Sequence, residues 1–408
     1  MSTTSNMQAY NLLTTEARAN PYPIYANLRK DDPVHWSELL HVWILTRYDD
    51  VLAALRDPAL SSDRLKQYAA HQLHGLDLNI VSDYLRVANR MMIIKDVPLH
   101  TRLRRMTSES FTKSALDVWR PIVQKVMDRL LDQIQGAERM DLVSDFAQPL
   151  PALVIAEMFG IAEEDRDSFQ RWSDDISKFW GGSFGNIEED GRRANEAMVR
   201  LEQHFLNIIH LRRENPGDDL MSHLIVNQER GLVDAEELTA QCVLILVAGH
   251  VTTIDQISNG LYALLTHPEE MQKLREQPEV INSAVEEILR FDSSVPFIHR
   301  VAKEDIVIRG RRIAKGQVVF LGLAAANRDP EQFAEPDRFD ITRQPNKHVA
   351  FAVGPHLCLG AELARRELAL GVAALCNRFP KLRFTNEPPE RRYDSLMFRG
   401  FKSMPLAF

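Results

Sequence analysis

The run His348-Val349-Ala350-Phe351-Ala352-Val353-Gly354-Pro355-His356-Leu357-Cys358-Leu359-Gly360 decides how this chain is read. It offers a single cysteine on a loop flanked by Gly354 and Gly360, where glycine permits backbone conformations and close approaches that a Cβ would hinder. The next residues, Ala361-Glu362-Leu363-Ala364-Arg365-Arg366-Glu367-Leu368, are strong helix formers, so a helix is predicted to begin just after the sulfur. Partial positive charge and free N–H groups at such an end favour thiolate over thiol. This is a way of presenting one thiolate to a metal.

The other cysteines act as controls. Cys242 lies in the apolar run Cys242-Val243-Leu244-Ile245-Leu246-Val247 and Cys376 in Val372-Ala373-Ala374-Leu375-Cys376, and both read as core. No C-x-x-C or Cys/His cluster supplies the ligands of a structural zinc site or an iron–sulfur cluster. Three cysteines in 408 residues make no disulfide framework, which fits a reducing cytoplasm. A net charge of -8 argues against a general nucleic-acid binder. The segment Met1–Gln8 is polar, with neither a signal peptide nor the run of about 20 apolar residues that a membrane anchor needs, so a soluble cytoplasmic protein is expected. With 45% hydrophobic residues and no linker or repeat, one continuous domain is expected over 1–408.

The pattern predicts mostly helix with a few short strands, a mainly α chain with small β-sheets (α+β). Val34-His35-Trp36, Val42-Trp43-Ile44-Leu45-Thr46, the stretch from Val307 to Ile313 and Val318-Val319-Phe320-Leu321 read as strands. The longest helix is predicted from a capping box, Asp234 with Glu237, to Thr266 before Pro268. Within it, Ala248-Gly249-His250-Val251-Thr252-Thr253 holds poor helix formers, and a hydroxyl bonding back to a carbonyl bends a helix and can open a pocket. Downstream, Glu287-Ile288-Leu289-Arg290 places an acid and a base one turn apart.

Taken together, the cysteine loop, the Ala248–Thr253 segment and the Glu287/Arg290 pair resemble the cytochrome P-450 family, along nearly the whole chain. The loop departs from the family pattern at Ala352, where glycine is usual, and the long helix departs at Val251, where an acid is usual. The resemblance implies the triangular, mainly helical fold of that family. Haem b would be ligated by Cys358 below, with Phe351, Gly354 and Gly360 around it, and Ala248 and Gly249 of the long helix above. His100, Arg104, Arg300 and His356 match the family's partners for the haem carboxylates, and His348 is a further candidate. Thr252 matches the hydroxyl that steers protons during oxygen activation. Because Val251 cannot carry a proton, Asp255, one turn along, is the candidate to replace the missing acid. Glu287 and Arg290 would form a buried network with Arg338, in the segment Pro336-Asp337-Arg338-Phe339.

The function implied is a monooxygenase that inserts one oxygen atom from O2 into a small molecule, by hydroxylation or epoxidation. Met92, Phe184, Val251, Val295, Phe297, Met397 and Phe398 are the candidate pocket lining, which implies a largely apolar substrate, by default a secondary metabolite, with a carrier-tethered acyl chain as the alternative. The irregular segment Leu65–Met92 and the glycine-rich break Trp180–Gly185 look like mobile lids. No flavin or nicotinamide fingerprint is present, so electrons are expected from a separate ferredoxin and its reductase. Arg102, Arg105, Arg365 and Arg366 are expected to cluster as the docking face on a monomeric protein. Val251 keeps two other readings open, a peroxide-driven haem enzyme and a non-catalytic ligand or gas sensor.

Overall fold

The helix Ala235–Thr266 spans 32 residues and begins as its capping box predicts, with the Glu237 N–H donating to Asp234 Oδ1 (2.7 Å) and the Asp234 N–H to Glu237 Oε2 (3.1 Å). At about 1.5 Å per residue it crosses most of the molecule. A computed structural model describes residues 10–71, 73–182, 185–230, 233–393 and 395–408, and in it this helix is buried along most of its length. It is the one helix among the described residues long and apolar enough to cross a membrane, and the burial of that stretch marks it as a core helix. Around it pack the helices Pro149–Phe159, Arg166–Trp180, Ile187–Glu214, Ile281–Phe291 and Ala361–Arg378. The last of these starts directly after the cysteine loop, as its helix-forming sequence predicts.

Beside the helices lies a five-stranded sheet in the order Val34–Ser37, Val42–Leu45, Val318–Gly322, Phe297–Ala302, Leu60–Ser61. Only the second and third strands run parallel, with Trp43 opposite Val319 and Leu45 opposite Leu321. The stretch expected as one strand from Val307 to Ile313 folds instead as a hairpin, Ile306–Ile308 against Arg311–Ile313. Arg309 (φ 47°) and Gly310 (φ 76°) both take the left-handed conformation that a tight two-residue hairpin turn requires. The segment Leu65–Met92 is also more regular than expected, with helices Leu65–His71 and Ser82–Ala88. Burial supplies what the local pattern lacks: Val81, Tyr84 and Val87 enter the core, and the Tyr84 ring meets Phe179 edge-on at 5.0 Å.

Behind the cysteine loop, Glu287 and Arg290 form a fully buried pair, Nε to Oε2 at 2.7 Å and Nη2 to Oε1 at 2.8 Å. Arg290 also donates to the carbonyls of Asn327, Pro336 and Arg338. The second guanidinium on Glu287 is that of Arg343, with Nε 3.2 Å from Oε1. Arg338 contributes only its carbonyl, and its side chain turns outward to Glu335. The expected third member is therefore corrected from Arg338 to Arg343. Unlike a surface pair, this one holds a loop of the chain by its backbone, closing the frame on which the cysteine sits.

Glu367, on the helix after the cysteine, is buried, and its Oε1 has no hydrogen-bond partner among the described residues. Burial pushes its carboxyl up from 4.5 to about 8. Its folded-state value thus exceeds the unfolded one, so the stability it contributes is present in full below pH 4.5 and is lost as pH rises from there to about 8. Glu367→Gln is expected to unfold later than the parent protein at pH 8 and to flatten the pH dependence of its melting temperature across that window. Thermal unfolding at pH 5 and pH 8 checks this, and a variant no more stable than the parent at pH 8 would contradict it.

Candidate functional site

The cysteine loop is pinned by its own backbone. The Cys358 N–H donates to the Phe351 carbonyl at 2.9 Å, and the turn between them needs left-handed backbone at Ala352 (φ 55°) and Gly354 (φ 77°). An alanine there carries strain of about 1–2 kcal/mol. At Gly354 a Cβ would come within 3.2 Å of the Leu55 carbonyl, so chain packing also demands glycine. At Gly360 a Cβ would meet no protein atom within 4 Å, so its glycine leaves open a cradle beside the sulfur that a Cβ would fill. Cys358 presents open surface yet lies deep among surrounding groups, as the floor of a cavity does. Burial pushes its thiol up, while the Gly360 N–H and the charges of Arg104 and Arg365 pull it back. The helix start alone therefore does not make the thiolate here, and a bound metal would complete the deprotonation. No group of three or more His, Cys, Asp or Glu side chains is placed to hold a metal among the described residues, so the sulfur stands as a lone ligand.

Under the loop, Arg365 lies 4.8 Å from the centre of the Phe351 ring and bonds Glu286, which His348 Nε2 also meets at 2.9 Å. Burial opposes its ionisation, but these two partners hold the Glu286 carboxyl down at about 2. His348 Nδ1 accepts from the Ala350 N–H (3.2 Å), so both ring nitrogens are committed within the protein. The expectation that His348 reaches a haem carboxylate is corrected: it braces the loop.

The second candidate element is one turn of the long helix. Ala248 is exposed and Gly249 and Thr252 half-exposed on a helix otherwise largely buried, so this turn borders open space. Thr252 Oγ1 donates to the Ala248 carbonyl at 2.8 Å, the back-bond that bends helices. A Cβ on Gly249 would meet Ile155 Cδ1 at 2.6 Å, so close packing on Pro149–Phe159 explains that glycine. His250 pins the same turn from behind, with Nδ1 3.0 Å from Ser173 Oγ and Nε2 3.3 Å from the Gln148 carbonyl. Val251 is buried. Asp255 does not take the missing acid's place: its carboxylate is fully buried, 3.5 Å from Arg392, and wedged against Gly400.

Near the sulfur, where Arg104 acts on Cys358, basic groups gather. The His100 and His356 rings lie 4.0 Å apart, His100 Nδ1 and Arg300 Nη2 are buried without a hydrogen-bond partner among the described residues, and Arg104 stands close by. Burial first, and then mutual repulsion with Arg104, Arg300 and, for His356, Arg64, push His100 down to about 4 and His356 to about 3. Arg300 is pushed down to about 10, chiefly by burial. The sequence reading missed Arg64, whose guanidinium is held by the carbonyls of Ser62 and Ile93. Orphaned donors and crowded positive charge are what a group bearing two carboxylates would neutralise. The residues thus fit haem: one sulfur, an open cradle, and cations at one edge.

Comparison with known proteins agrees with this geometry. The Cytochrome P-450 family model matches residues 81–399. The chain belongs to the cytochrome P-450 family. It is 36% identical to the biotin biosynthesis cytochrome P-450 of Bacillus subtilis over 98% of this chain and 99% of that protein. It is 38% identical to the vitamin D(3) 25-hydroxylase of Pseudonocardia autotrophica over 99% and 98%. The crystal structure of P-450BioI in complex with acyl carrier protein ligated to hexadec-9Z-enoic acid superposes with a TM-score of 0.88 at 35% identity, covering 97% of this chain and all of that one. This P-450 is therefore an oxidoreductase, a haem-thiolate monooxygenase whose cofactor is haem b.

Two expectations about the surfaces of this P-450 change. Of the four arginines expected as a docking face, Arg102 pairs with Glu237, Arg365 with Glu286 and Arg366 with Asp117, so their charge is largely spent inside the molecule. Arg105 remains exposed, as do Arg56 beside Gly354 and Lys113, whose carbonyl takes a bond from Arg366. Among the pocket candidates, Val295, Met397 and Phe398 are half-exposed and Met92 and Val251 are buried. Phe297 is core, packed edge-on against Tyr25 at 5.6 Å and beside Phe320 at 5.7 Å. Phe184 lies outside the described residues.

Proposed function

We propose that this P-450 hydroxylates or epoxidises a largely apolar secondary metabolite, with Cys358 as the ligand of haem iron and with electrons from a separate ferredoxin. The observation that carries the ligand assignment is the lone exposed sulfur on a braced loop, with Arg104 of the basic cluster beside it. When bound, haem supplies oxygen activation and C–H bond attack. His100, Arg104, Arg300 and His356 hold its carboxylates as hydrogen-bond and charge partners, and Arg64 adds to their field. Ala248 and Gly249, the small residues of the open turn, would leave room for it there. Thr252 Oγ1 holds and passes protons from water, because Val251 can neither donate nor accept one. Val295, Met397 and Phe398 exclude water and orient the substrate. Exposed Arg56, Arg105 and Lys113 on the cysteine side suit an acidic electron donor in the cytoplasm. The named complex of a relative with a loaded acyl carrier protein supports a carrier-tethered acyl chain as one form of the substrate.

The test titrates the ferric protein with free acyl chains, macrolide-sized compounds and the same acyl chains on a carrier protein, and follows the spin state. Compounds that shift it are then supplied with a ferredoxin, its reductase and a nicotinamide. Oxygenated product that depends on the ferredoxin supports the reading. Equal turnover with hydrogen peroxide alone would favour the peroxide-driven alternative, which the valine at 251 keeps in view.

A further inference from the structure

The acid that the long helix lacks at Val251 is present one turn later, and it serves a different element. Asp255 Oδ2 lies 3.5 Å from Arg392 Nη1, and the Asp255 side chain fills the space where a Cβ on Gly400 would stand, within 2.7 Å of its own Cβ. Arg392 and Gly400 are themselves joined, the Arg392 N–H donating to the Gly400 carbonyl at 3.1 Å. They close the base of a C-terminal loop whose tip carries Ser395, Met397 and Phe398.

Two further attachments fix that loop. At its base Arg391 donates to Asn259 Oδ1 (2.8 Å) and Asp292 Oδ2 (3.0 Å), and Arg399 Nε donates to Asp292 Oδ1 (2.6 Å). At its tip the buried Ser395 Oγ donates to the Gly181 carbonyl (2.7 Å), at the end of helix Arg166–Trp180, and accepts from the N–H groups of Met397 (2.9 Å) and Phe398 (3.2 Å). The Phe398 ring packs where a Cβ on Gly181 would come within 3.0 Å of it. The loop is thus stapled to three elements, with Asp255 and Asn259 the staples on the helix that also carries Thr252. Charge and crowding at Asp255 therefore bear on where Met397 and Phe398 lie.

We propose that Asp255 and Ser395 are positioning residues for substrate selection: they hold the C-terminal loop so that Met397 and Phe398 meet the part of a ligand that extends away from the iron. This rests on the reading of Met397 and Phe398 as pocket lining in a haem-loaded enzyme. A relay of protons through Asp255 is not part of it.

The experiment titrates the ferric holoenzyme with two probes, imidazole, which is small enough to touch little beyond the iron, and 1-dodecylimidazole, whose chain extends along the pocket. Asp255→Asn and Ser395→Ala are expected to leave imidazole affinity within about twofold and to weaken 1-dodecylimidazole by about tenfold or more, some 1.4 kcal/mol. Gly400→Ala, which forces the Asp255 side chain aside, is expected to reproduce the effect, and Arg392→Lys, which keeps the charge, to show a smaller one. If Asp255→Asn does not fold, Ser395→Ala carries the test alone. Unchanged 1-dodecylimidazole affinity in a folded Asp255→Asn or Ser395→Ala, or an equal loss for both probes, overturns the proposal. A parent protein that gives no imidazole spectrum overturns the haem reading beneath it instead.

Discussion

Cys358→Ser is expected to abolish the strongly red-shifted Soret band that the reduced parent protein gives under carbon monoxide. That band reports a thiolate on the iron, and a serine hydroxyl is a much weaker electron donor that stays protonated near neutral pH. Haem content should fall as well, because the sulfur is the only ligand the cradle offers among the described residues. Cys242→Ser and Cys376→Ser are the controls: both thiols are buried in core helices and pushed up by burial, so both variants should keep the band. Retention of the band and of full haem content in Cys358→Ser would remove the central assignment.

What the sequence made legible was local. The capping box at Asp234, the helix after Cys358 and the Glu287/Arg290 pair each depend on residues three or four apart, and each is present. The basic cluster of His100, Arg104, Arg300 and His356 was legible in outline, His100 and Arg104 lying one helical turn apart. What stayed hidden depends on partners far along the chain. Arg343 reaches Glu287 from 56 residues away, across several strands and from a loop, so no periodicity marks it, whereas Arg338 sits in the more conspicuous segment and faces outward. Asp255 shares a helical face with the Ala248 turn, and only the C-terminal loop, with Arg392 and Gly400, turns it to another use. His348 reads as a further partner for the haem carboxylates until Glu286 is seen beneath it. Phe297 follows a pocket-like segment, but its strand directs it into the core between Tyr25 and Phe320.

The second large effect is expected at the buried ion network. Glu287 accepts from both Arg290 and Arg343, and Arg290 in turn ties three backbone carbonyls of the segment from Asn327 to Arg338. Glu287→Gln keeps the shape and removes the charge, leaving two guanidiniums, one fully buried and one nearly so, without their counter-ion. Breaking a buried pair in this way costs about 3–5 kcal/mol, more than replacing both partners together would. The loss should be seen as a lower urea midpoint of the holoenzyme and faster loss of haem on warming, because the restrained segment leads into the cysteine loop through the Val349 N–H, which donates to Asn327 Oδ1 at 2.7 Å. The arginines then separate by burial. Arg343→Ala should share much of the loss, whereas Arg338→Ala removes a surface contact to Glu335 and should stay within about 0.5 kcal/mol of the parent. The opposite order, with Arg338 costly and Arg343 neutral, would show that the network closes through the family's expected position after all.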